Sequence, residues 1–213
     1  YQRVELLHRI ARLYEEMLGD HTNAFETYAR AVACDSANED SLANYERLAS
    51  AIGRWADVAQ LYDQELDKLG ENPQAFVDLG LRLANIFETQ LEDVDNAIAR
   101  YRRVLAIDLE NQTAVRSLDR LFSMTDRWAD LAQILAREAE IAQAPDEQLE
   151  FKYRLGQVHQ LRLNDVEAAI AAYREVITQA PDHQATLEAL EGLFANGIKQ
   201  MEIGEILEPL YQN

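Results

Sequence analysis

The sequence predicts an all-α chain, an α–α superhelix of six helical hairpins and twelve helices. Two observations predict it. First, one stretch occurs three times: residues 9–55 and 82–128 align without a gap and share 17 of 47 positions, and residues 154–200 give a third copy. Second, four Pro and eight Gly in 213 residues fall mostly between segments whose apolar residues recur at helical spacing. A repeat of this length points to a stacked array rather than to one globule around a buried site.

The elements follow in order. Leu6, Leu7, Ile10, Leu13, Tyr14 and Met17 predict a first helix over about 2–18. Gly19-Asp20 breaks it, and Asp20 caps a second helix striped by Ala24, Phe25, Tyr28, Ala31 and Val32. A third runs from about Glu39 to Ala51 and stops at Gly53. A fourth carries Trp55, Val58, Leu61, Tyr62 and Leu66. The cycle then restarts after a break at 70–72. Pro73 opens the fifth helix, which runs to about Thr89, at a position where its missing N–H is no loss. Asp93 caps the sixth, Asn111 opens the seventh, and Trp128 leads into the eighth. Pro145-Asp146 opens the ninth, Asp165 caps the tenth, Asp182 or His183 opens the eleventh, and a twelfth begins near Lys199 with a kink or end expected at Pro209. The whole of 1–213 is read as one array, with copies over about 1–53, 54–126 and 127–199 and a partial one over 200–213. The start at Tyr1, inside a helical pattern, suggests a piece of a longer protein.

Charge bounds the partners. Thirty-eight acidic residues against 20 basic ones give a net charge of −18, which repels phosphate backbones and anionic lipid heads. Nucleic acid and membrane insertion are therefore not expected. Seventeen of the basic residues are Arg, a hint of a GC-rich bacterial genome. Cys34 is alone, so no intrachain disulfide forms, and its place beside an apolar stripe reads as a small buried hydrophobe. No apolar run reaches transmembrane length.

Catalytic and metal signals are sparse. His8, His21, His159 and His183 never fall four apart, and no phosphate-cradling Gly-rich loop or Gly-x-Ser-x-Gly elbow occurs. The carboxylates lie three or four residues from Arg, the pattern of solvated helical ion pairs. No enzyme activity, cofactor or metal is expected.

Each 73-residue cycle holds two helix–turn–helix units. The fifth unit reads Leu155-Gly156, His159, Ala169, Tyr173, Val176, Pro181. The third reads Leu83-Ala84, Phe87, Ala97, Tyr101, Val104, and the first Ile10-Ala11, Tyr14, Ala24, Tyr28, Ala31. All three carry one extra residue in the turn. These units resemble tetratricopeptide repeats, in which small residues let paired helices approach and aromatics fill the groove between them. The even units depart further, and Gln200 stands in the sixth where Trp55 and Trp128 stand before. The resemblance implies a right-handed solenoid whose first helices line a concave face. It also places Arg12, Arg47, Asn85, Arg120, Gln157 and Gly192 at one groove-lining position, with Arg116 a turn before Arg120 and Tyr153 a turn before Gln157. Arg9, Arg82 and Arg154 recur at the edge of that face. The family's Lys-x-x-x-Asn carboxylate clamp has no match, since His8 and Arg12 stand there.

A non-catalytic protein-interaction scaffold follows, with a peptide or protein segment bound in the groove. Arg12, Arg47, Asn85, Arg116, Arg120, Tyr153 and Gln157 are its candidate contacts, and an acidic or C-terminal peptide is the expected ligand. The alternatives are a structural spacer or self-associating segment, and a regulatory domain of a larger protein. The arginines would then pair with Glu15, Glu16, Asp40, Asp78, Glu88 or Glu150. A cytoplasmic location is expected, with the periplasm as the alternative for a piece of a longer chain.

Overall fold

The capping signals and apolar stripes translate almost directly into helices. The computed structural model describes residues 2–70 and 72–211; Tyr1, Glu71 (inside the expected break), Gln212 and Asn213 lie outside them. Among the described residues there are twelve α-helices and no strand: α1 Gln2–Arg12, α2 His21–Cys34, α3 Glu39–Ile52, α4 Trp55–Leu66, α5 Pro73–Thr89, α6 Val94–Ile107, α7 Gln112–Met124, α8 Trp128–Ile141, α9 Pro145–Leu161, α10 Val166–Gln179, α11 Gln184–Ala195 and α12 Gln200–Tyr211. Asp20, Asp93 and Asp165 each accept from the backbone N–H three residues on, which satisfies an orphan donor of the first turn. Asn38, Asn72, Asn111 and His183 do the same for α3, α5, α7 and α11. α12 runs through Pro209 to Tyr211.

The extra residue in the odd-numbered turns has a structural expression. After α5 and α9 the chain passes through the left-handed region at Glu92 and Asn164 and closes a wide, six-apart turn, with Asp93 N donating to Phe87 O and Asp165 N to His159 O. After α1 the widening is large enough to form a π segment, Leu13–Met17, ended by Gly19 at φ +63°. The first helix therefore loses α geometry about six residues before the expected end. The even-numbered turns use the tighter five-apart closure, Arg54 N to Ala49 O and Arg127 N to Phe122 O, with Gly53 and Asp126 left-handed.

The chain divides into two compact units, residues 1–114 and 115–213. In the first, consecutive helices α1 to α5 pack on one another and α6 on α5. Ala11, Ala24, Phe25, Tyr28, Leu42, Tyr45, Leu48, Val58, Tyr62, Leu79 and Leu83 form one buried cluster there. In the second, α8 to α12 pack consecutively, and Ala169, Ile170, Tyr173, Leu190, Leu193, Ile203 and Leu207 form a core. No helix here buries its stripe alone. Cys34 corrects the sequence reading: it is exposed, because it follows the last buried turn of α2 at Ala31 and Val32.

Trp55 and Trp128 open α4 and α8 at equivalent positions and are mostly but not fully buried. Trp55 packs on the first core, and the Arg162 guanidinium lies 4.5 Å from the Trp128 ring centroid. Truncating either to Ala is expected to cost roughly 2–3 kcal/mol, less than the 3–5 kcal/mol of a fully buried indole. Urea unfolding of each variant checks this, and a change below about 0.5 kcal/mol would show that neither ring is a packing element.

Candidate functional site

In the first unit the polar face is built where α1, α2 and α3 meet. Tyr28 is fully buried, and its hydroxyl lies in the field of Arg12, Glu15 and Arg47. Burial raises the phenol pKa, while the Arg12 guanidinium beside it works the other way. Arg12 is exposed and makes no ion pair with a carboxylate among the described residues. Arg47 is engaged: its two terminal nitrogens donate to both oxygens of Glu15 at 2.7 Å, with Asn44 Oδ1 at 3.3 Å. The Glu15 carboxyl is held below its ordinary pKa, first by the hydrogen bonds from Arg47. His8 Nε2 lies 2.7 Å from Ser41 Oγ, and burial lowers its pKa. Asn85, one repeat on from Arg12, is exposed on α5.

Two of the three edge arginines, Arg82 and Arg154, are tied down across repeats. Arg82 on α5 pairs with Glu39 and, at 3.3 Å, with Glu46 on α3, where Tyr62 also donates to Glu46 at 2.9 Å. In the second unit Arg154 on α9 grips Asp119 on α7 through two bonds of 2.9 and 2.8 Å. Arg116 and Arg120 are exposed on α7. Tyr153 and Gln157 are half-buried on α9, and Gln157 Nε2 donates to the Tyr153 hydroxyl at 2.9 Å. Tyr153 also packs at 5.4 Å from the His183 ring and 6.0 Å from Tyr173. Gly192 is exposed on α11.

The structure thus groups Arg12 and Arg47 around Tyr28, and Tyr153 and Gln157 around Tyr173. Two features escaped the sequence reading. Repeat-equivalent tyrosines present their hydroxyls to position 15 of the cycle or its equivalents: Tyr101 donates to Glu88 at 3.0 Å and Tyr173 to Gln160 at 2.7 Å. Glu138 on α8 is buried, with one carboxylate oxygen lacking a hydrogen-bond partner. The alignment of 28 with 101 and 173 could have found the first; nothing local marks the second. Among the described residues no group of three or more His, Cys, Asp or Glu could hold a metal ion, and no helix is long and apolar enough to cross a membrane.

Comparison with known proteins places these repeats. Three family models described as tetratricopeptide repeat match residues 5–33, 79–115 and 149–183. Cellulose synthase 1 operon protein C of Komagataeibacter xylinus is 28% identical over 215 residues, covering 92% of this chain and 15% of that protein. The chain therefore spans about a seventh of that relative's length. Among solved structures, a tetratricopeptide repeat protein from Parabacteroides merdae is 17% identical, with a TM-score of 0.49 over 100% of this chain and 80% of that one. YrrB, described as a tetratricopeptide repeat protein with an unusual peptide-binding site, is 16% identical, with a TM-score of 0.44 over 87% of this chain and 90% of that one.

Proposed function

Since the chain belongs to the tetratricopeptide repeat family, we propose that it is a non-catalytic scaffold that captures an acidic or C-terminal peptide segment on the Arg12–Tyr28–Arg47 face. The observation that carries this is Arg12, an exposed guanidinium beside a buried tyrosine hydroxyl, without a carboxylate of its own. A ligand carboxylate there would meet two nitrogens of Arg12, whose guanidinium the buried Tyr28 helps to hold in place. Arg47 would join only by exchanging Glu15 for the ligand. The second unit carries its own polar residues, Arg116, Arg120, Tyr153 and Gln157, on α7 and α9 as a separate candidate surface. The relation to an operon protein of cellulose synthase supports a place in an assembly serving cellulose production.

Fluorescence anisotropy with a labelled acidic peptide tests this. A micromolar Kd, about −8 kcal/mol, is expected, weakening with salt. Arg12→Ala should cost about 1–3 kcal/mol of binding without unfolding the array. Glu15→Gln, which releases Arg47, should tighten binding. A peptide that binds equally well with a free and an amidated C-terminus, and equally to Arg12→Ala, would sink the reading. The pairing of Arg47 with Glu15 favours the alternative of a spacer or self-associating segment.

A further inference from the structure

Where α5 meets α3 and α4, the fold places two carboxylates and gives each its own donor. Glu46 on α3 takes the Tyr62 hydroxyl at 2.9 Å and Arg82 at 3.3 Å, and Glu65 on α4 takes the Lys68 ammonium at 2.6 Å. Counted through the repeats, the two acidic positions fall on Asp119 of α7 and Glu138 of α8, both in the second unit. The donors have changed there. Leu135 stands for Tyr62 and Ile141 for Lys68, while Arg154 of α9 keeps the place of Arg82. Arg154 gives both terminal nitrogens to Asp119, at 2.9 and 2.8 Å. Glu138 is buried, and one of its oxygens has no hydrogen-bond partner. The charged groups facing it are Asp119 and Arg116 from α7 and Arg154 from α9, and Arg154 also feels Glu150 on its own helix. Burial and then Asp119, which lies within hydrogen-bond reach, both favour the protonated form of Glu138. Two carboxyl groups so placed bond to each other only with a proton between them.

We propose that Asp119 and Glu138 hold one proton between them and that this proton is a switch on α9. With it, Asp119 keeps its grip on Arg154 and α9 stays clasped to α7. Without it, two carboxylates compete for one guanidinium and the clasp loosens. The proton fills the place of the two donors that the first unit has at Tyr62 and Lys68 and that Leu135 and Ile141 cannot supply. Its loss leaves two like charges side by side, one of them cut off from the water that would screen it. α9 also carries Tyr153, next to Arg154, and Gln157, so the proton reaches two candidate contacts of the second unit. The switch goes beyond peptide capture and stands whether or not the unit binds a peptide.

Side-chain carboxyl NMR of the intact chain from about pH 5 to 9, with amide hydrogen exchange on the same samples, tests it. Glu138 should release its proton well above the range of an ordinary glutamate. The α9 amides, corrected for the intrinsic pH dependence of exchange, should open about tenfold or more faster above that midpoint than below it. Ile141→Lys puts an ammonium where Lys68 stands in the first unit, at a half-buried position that can take it. It should move the Glu138 midpoint down and remove the α9 response. Glu138→Gln should keep α9 closed across the whole range. A Glu138 that titrates as an ordinary glutamate overturns the proposal. So does α9 exchange that ignores the Glu138 midpoint, or a response that survives either variant.

Discussion

Tyr173→Ala is expected to destabilise the second unit by about 3–5 kcal/mol, and Gly156→Ala by about 1–3 kcal/mol through the same contact. Tyr173 is fully buried, in the core formed by Ala169, Ile170, Leu190 and Leu193. Its ring presses on the α9 backbone so closely that a Cβ on Gly156 would lie 2.4, 2.6 and 3.0 Å from three ring atoms. Those atoms belong to a buried ring that cannot swing aside, so α9 and α10 must part. The other copies show what that separation looks like, since Ala11 and Ala84 stand at this position, fully buried, opposite Tyr28 and Tyr101. That precedent, and the better helix propensity of Ala, keep the Gly156→Ala cost at the lower figure. The two sites are one contact, so the Gly156→Ala/Tyr173→Leu pair should cost less than the sum of its singles. Chemical unfolding followed by Trp128 fluorescence in a Trp55→Phe background isolates the unit. Additive effects would show that the glycine is not there for the ring.

The helices and their stops were legible because their signals are local. Asp20, Asp93 and Asp165 cap what they were expected to cap, and Pro73, Pro145 and Gly53 stand at the ends expected. The Leu-Gly and Ala-aromatic positions were legible as packing because three copies agree. The electrostatics were legible only in part, with Glu15 among the carboxylates expected opposite the groove arginines. Reading Arg and carboxylates three and four apart predicts pairs along single helices, and Arg54 with Asp57 and Lys68 with Glu65 are such pairs. The pairs that shape the candidate face instead join neighbouring helices more than 30 residues apart: Arg47 with Glu15, Arg82 with Glu46, Arg154 with Asp119. Which carboxylate an arginine meets depends on the rotation of one hairpin on the next. That rotation is set by packing, and no single helix encodes it. The π segment at Leu13–Met17 belongs to the same class, because it turns Glu15 to a place a regular helix would not.

Glu138 gives the strongest expected pH dependence. The residue is 4% exposed, one oxygen has no hydrogen-bond partner, and Asp119 lies nearby with its charge already committed to Arg154. Burial, and then repulsion from Asp119, push its pKa up to about 7, against the pull of Arg154 and Arg116. In the unfolded chain it titrates near an ordinary glutamate, about 4.3. The folded state therefore holds a proton that the unfolded state releases first, and stability falls as pH rises between those two values. A shift of that size corresponds to about 3–4 kcal/mol, present in full below pH 4 and lost above pH 7 for this group. The repeat equivalent Glu65 is equally buried but takes the Lys68 ammonium at 2.6 Å, so the first unit lacks an orphaned carboxylate oxygen at this position. Glu138→Gln keeps the shape and removes the charge. It should flatten this part of the pH profile of the second unit and leave it about 2 kcal/mol more stable at pH 8. Denaturant midpoints from pH 5 to 8 decide the matter. If the variant follows the parent's slope, or is the less stable of the two at pH 8, the buried carboxylate is satisfied by a partner and its charge is not a cost to the fold.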